Sequence, residues 1–130
     1  IMDKNFEKVK NYLLDLEVVI VAEDEASSTF VISQIDEGIN NMVIACADPI
    51  LIMEQPLFKI KADNMSIFKQ LLQKNRDIIH GAFVLDDNNT VLFRDTLQIE
   101  NLDLNELEGS LKSLSLLLSE YTDKILEFAK

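Results

Sequence analysis

The chain has 130 residues, 48% of them hydrophobic, with 23 acidic and 12 basic side chains and a formal net charge of −11. That length suits one domain with a filled interior, and the negative field excludes phosphate backbones and anionic lipid surfaces as partners. No apolar run reaches the ~18 residues of a membrane span, Ile1 to Asp15 mixes charged with apolar residues unlike a signal peptide, and the lone Cys46 allows no internal disulfide, so the expectation is a water-soluble protein of the reducing cytoplasm.

From Asp3 to Leu16 the residues Phe6, Val9, Leu13 and Leu16 recur every three or four positions, which predicts an amphipathic helix with Asp3 as its N-cap. Val18 to Ala22 and Thr29 to Ser33 are β-branched runs separated by the polar segment Glu23 to Ser28, a hairpin pattern. Gly38 offers the positive φ of a reversal, and Met42 to Cys46 reads as a third strand. Asp48 and Pro49 interrupt the pattern. Ile50 to Met53 and Leu57 to Ile60 then read as a fourth strand broken or ended near Pro56.

Met65, Phe68, Leu71 and Leu72 restore the helical period, with Asp63 or Asn64 as cap and an end near Arg76. Gly81 to Leu85 and Thr90 to Leu97 form a hairpin around Asp86, Asp87, Asn88 and Asn89. A last helix follows, with an apolar stripe from Leu104 to Phe128 and Asp103 paired with Glu106 as a capping box. The order α-ββββ-α-ββ-α describes an α+β domain over residues 1–130, with a largely antiparallel sheet of five to six strands and three helices.

These strands lack the apolar–polar alternation of a sheet with one wet face. Val18 and Ile20 oppose Val19 and Val21, and Phe83 and Leu85 oppose Ala82 and Val84. Either the three helices divide between both faces, or a second copy or a client covers part of one.

The residues that carry chemistry elsewhere have structural uses here. Cys46 sits in an apolar strand with no basic neighbour in sequence, and His80 is the single histidine, with no orienting partner in view. Asp86 to Asn89 lack calcium-loop spacing and read as a turn, while Glu23, Asp24 and Glu25 read as a solvated hairpin tip. Arg76, Arg94 and Asp95 suit structural ion pairs. No phosphate loop, Ser/His/Asp set, cysteine pair or metal-ligand cluster is present in the sequence, so the expectation is a protein that is not an enzyme, with no cofactor and no metal.

The segments Leu71-Leu72-Gln73-Lys74-Asn75-Arg76, His80-Gly81-Ala82-Phe83-Val84-Leu85-Asp86, Leu92-Phe93-Arg94-Asp95-Thr96-Leu97 and Leu102-Asp103-Leu104-Asn105-Glu106-Leu107 carry a resemblance. The chain resembles the type III secretion chaperone-like fold, and within it the YbjN-type or Tir-chaperone proteins of bacteria. There a helix ending in Leu-Leu-x-x-Asn leads to a Gly-x-Phe strand, a hairpin and a long C-terminal helix. The resemblance implies a non-enzymatic, chaperone-like module, commonly a homodimer, that holds a partner polypeptide on apolar surface. The expected partner-binding residues are Phe6, Val9, Tyr12, Val19, Val21, Phe30 and Ile32, and the dimer contact that the resemblance implies is Met65, Phe68 and Leu72 on the second helix. The alternative is a regulatory or sensory component that binds a small ligand between sheet and helix.

Overall fold

The computed structural model describes residues 3–130; the opening Ile1 and Met2 lie outside it. Helix α1 (Lys4–Asp15) begins where the Asp3 carboxylate accepts the Asn5 amide hydrogen at 3.0 Å. The sheet strands are β1 (Val19–Asp24), β2 (Thr29–Gln34), β3 (Ile39–Ala47) and β4 (Ile50–Lys59), then, after α2 (Met65–Asn75), β5 (Ala82–Leu85) and β6 (Thr90–Gln98). Helix α3 (Leu104–Phe128) ends the chain, capped by Asp103, which accepts the Glu106 amide hydrogen at 2.7 Å. The six strands pair antiparallel in the order β1-β2-β3-β4-β6-β5.

Two strands, β4 and β3, differ most from the sequence reading. Strand β4 is not broken at Pro56: it runs through Lys59, and a bulge between Pro56 and Phe58 absorbs Leu57 as an extra residue. Pro56 faces Leu92 just before the bulge, where a missing N–H disturbs the ladder least. Strand β3 starts at Ile39, earlier than its β-branched run suggests, because Gly38 at φ +79° reverses the chain immediately before it.

All the helices lie over one face of the sheet. Phe30, Ile32, Ile44, Met53 and Phe93, paired across the strands, are buried in one cluster with Phe6, Val9 and Leu13 of α1, Leu71 of α2, and Leu107 and Leu114 of α3. The Phe6 and Phe30 rings stack at 4.4 Å. Alternate residues Val31, Val43 and Ile52 point to the other face, which no helix among the described residues covers. Of the two arrangements open at the sequence level, the divided one is therefore not adopted.

Serines dock α3. Ser110 donates to an Asp95 carboxylate oxygen at 2.6 Å, and the Ser113 hydroxyl accepts from the His80 amide and donates to the His80 carbonyl. Both serines are buried, so each hydroxyl meets a partner that removes the cost of its burial. It is the backbone of His80 that is used; the ring is exposed and lies against Gly109.

Candidate partner-binding surfaces

The seven residues expected to touch a partner do not form one surface. Phe6, Val9, Phe30 and Ile32 are at most 1% exposed, because the α1 stripe and the inner side of β2 close on each other. They are interior packing and cannot be reached in this fold. Tyr12 is half-buried and donates its hydroxyl to the Leu102 carbonyl at 3.1 Å. Val19 and Val21, by contrast, are 63% and 53% exposed on β1.

Strand β1 is one edge of the sheet, and among the described residues it pairs only with β2, so one row of its backbone groups has no strand neighbour there. Its register slips between Ile20 and Ala22, leaving Val21 as the extra residue of a bulge. Lys10 of α1 reaches Glu23 at 3.1 Å on the helix-covered side, and the outward edge stays open.

The opposite edge, β5, is closed by a side chain. The Asn75 amide nitrogen donates to the Phe83 carbonyl at 3.1 Å, and the Phe83 N–H donates to the Asn75 amide oxygen at 2.7 Å. A carboxamide carries the same donor and acceptor as a peptide unit, so Asn75 stands where one residue of a seventh strand would pair. Gly81 precedes this strand and lies against β6. At φ +84° it turns the chain into β5, and a Cβ there would sit 2.5 Å from the Phe93 ring.

Gln55 repeats the device inside the sheet. Only 4% exposed on β4, it accepts from the Asn40 N–H and donates to the Gly38 carbonyl, both at 3.0 Å. Sequence reasoning missed both amides. The Leu-Leu-x-x-Asn pattern marked Asn75 without a role, and nothing in the sequence signals Gln55.

The three residues expected at a dimer contact are brought together on α2. Met65 and Leu72 are 83% and 71% exposed, and Phe68 is half-buried. Beside them an apolar cleft of about 220 Å³ opens between Phe68, Leu71 and Leu72 of α2 and Phe83, Leu85 and Val91 of the last hairpin. Lys74 closes the far side of α2, over the Tyr121 ring and 4.0 Å from Glu120.

Little in these surfaces is poised for reaction. Burial, with the Asp3 carboxylate adding to it, pushes the Cys46 thiol up to about 11, so it stays protonated at neutral pH. Among the described residues no three His, Cys, Asp or Glu side chains cluster as metal ligands, and no helix is long and apolar enough to cross a membrane.

The CesT_Tir_1 family model matches residues 2–130. No curated protein matches the sequence. Among solved structures, YbjN from E. coli, described as a putative transcription regulator, superposes with a TM-score of 0.72 at 12% identity, covering 95% of this chain and 94% of that one. The ExsC–ExsE complex gives 0.68 at 16% identity, with 95% and 94% covered. The Yersinia pestis type III secretion chaperone SycH, in complex with a fragment of YscM2, gives 0.61 at 14% identity, with 96% and 99% covered. At these identities the likeness is one of fold, and that fold is chaperone-like.

Proposed function

From the premise that the chain belongs to the CesT_Tir_1 family, we propose that it is a non-enzymatic, chaperone-like module of the cytoplasm that holds an extended segment of a partner protein at the open edge of β1. The inequality of the two sheet edges carries this reading. Asn75 takes up the outward N–H and C=O of Phe83 in the middle of the four-residue β5, whereas the six-residue β1 keeps its row of donors and acceptors without a strand neighbour among the described residues, flanked by exposed Val19 and Val21. A strand added there gains ladder hydrogen bonds, and alternate side chains of the incoming segment meet the two valines. Two of the structural neighbours, ExsC–ExsE and SycH with its YscM2 fragment, are themselves protein–protein complexes, which supports a protein as the ligand.

The same reading includes a homodimer through Met65, Phe68 and Leu72, where exposed apolar side chains surround the α2 cleft. At about 220 Å³ that cleft falls below the ~300–1,000 Å³ of ordinary small-molecule sites, so a neighbouring protein surface fits it better than a metabolite. The test is capture of cytosolic partners with quantitative mass spectrometry, comparing wild type with Val19→Lys/Val21→Lys and with Leu126→Lys on the exposed side of α3. The β1 variant is expected to lose the proteins that wild type and the α3 variant retain. Equal recovery by all three would dismiss the β1 edge as the site.

A further inference from the structure

The sheet face without helices is charge-poor in an acidic chain. Strand register places Val31, Val43, Ala45, Ile52 and Val84 on it, around Leu92, which is itself only 9% exposed. The charged side chains that alternate onto the same face are Asp24, Glu54, Lys59 and Arg94, so acids and bases balance there although the chain carries 23 acids and 12 bases. Apolar side chains with depleted charge make up the centre of an interface. Such a face offers no backbone groups, because the ladder consumes them between strands, and an extended peptide laid across it would leave its own unpaired. An element with a satisfied backbone fits instead.

Glu54 and Arg94 identify which one. They stand opposite each other on β4 and β6 at 3.1 Å, with 34% and 36% of their side chains exposed. A two-fold axis along the strands between them sets Glu54 of one copy over Arg94 of another, and the reverse, so this pair is complementary to its own image. Elsewhere the net charge of −11 drives copies apart, and here the Glu54 and Arg94 charges cancel.

We infer that the helix-free face is a self-association surface, on which a second copy packs its own sheet centred on Glu54 and Arg94. With that axis, β3, β4, β6 and β5 overlap, roughly 19 Å by 20 Å at normal strand spacing, or about 400 Å² of flat area per copy. That is less than a permanent dimer buries, so the association is reversible and depends on concentration. β1 and β2 overhang and stay free for a partner segment, and α2 lies on the other side. The inference stands whether or not the β1 reading holds.

The test is sedimentation in moderate salt, which screens the net charge, in a Leu72→Glu background that removes the α2 contact. The Leu72→Glu chain is expected to rise from one copy towards two as concentration increases. Adding Glu54→Lys, or adding Arg94→Glu, is expected to hold it at one copy, because each places like charges across the axis. Mixing those two chains makes the crossed pairs opposite in sign again and is expected to restore two copies, which also shows that both are folded. A Leu72→Glu chain that stays monomeric, charge variants that still self-associate, or a mixture that remains monomeric would overturn the inference.

Discussion

Replacing Asn75 by alanine tests whether a side chain closes the β5 edge. Two hydrogen bonds disappear, at 2.7 and 3.1 Å, and both partners are backbone atoms of Phe83, a residue only 6% exposed. Each bond contributes about 1 kcal/mol net, and an orphaned buried backbone group costs about 1–3 kcal/mol, so the expected loss is about 2–4 kcal/mol. Urea unfolding measures it as a lower midpoint at unchanged slope, and hydrogen exchange at the Phe83 amide should accelerate. Asn75→Asp separates the two bonds. An ionised carboxylate still accepts from the Phe83 N–H but sets a second acceptor against the carbonyl, whereas the protonated acid can donate to it. This variant holds its proton more tightly when folded than when unfolded, so its deficit should be smallest below the usual carboxylate pKa of about 4 and grow as pH rises through the raised folded value. An alanine variant within about 0.5 kcal/mol of wild type, the range of an ordinary surface change, would refute the reasoning.

Gly81→Ala should cost about 2–4 kcal/mol by chemical denaturation, since it combines a positive φ with a Cβ against the Phe93 ring and the ring must shift. Phe30→Ala removes a fully buried ring stacked on Phe6 and should cost about 3–5 kcal/mol in the same assay. Cys46 should react slowly with a thiol reagent at pH 8 in the native protein and quickly in urea. Its folded pKa lies near 11 against 9.0 unperturbed, so the native state keeps a proton that the unfolded chain releases. The stability linked to it is complete below pH 9 and falls as pH climbs towards 11; the Cys46→Ala chain, compared by urea titration across that window, should lack this component.

Local patterns made the fold legible. The stripe Phe6, Val9, Leu13 gave α1 because a 3.6-residue period leaves no other arrangement for those side chains, and Asp3, Asn64 and Asp103 cap where their carboxylate and amide oxygens suggest. Pro56 misled because a single bulge lets a proline remain inside a paired strand. Surfaces were less legible, since exposure depends on which layer an element packs against. Val19 and Phe30 are both apolar strand residues, and only the placement of every helix on one face separates a side chain 63% exposed from one fully buried. The closure of β5 is a pairing between residues eight apart through a side chain, which neither helical nor strand periodicity encodes.

Hydrogen exchange of the β1 amides, with and without a captured partner, tests the holding role most directly. Slowed exchange across Val19–Asp24 on binding, with the Phe83 amide already protected in the free protein, is what an open edge at β1 and a closed edge at β5 require. A bound partner that protects other segments and leaves Val19–Asp24 exchanging as before would contradict it.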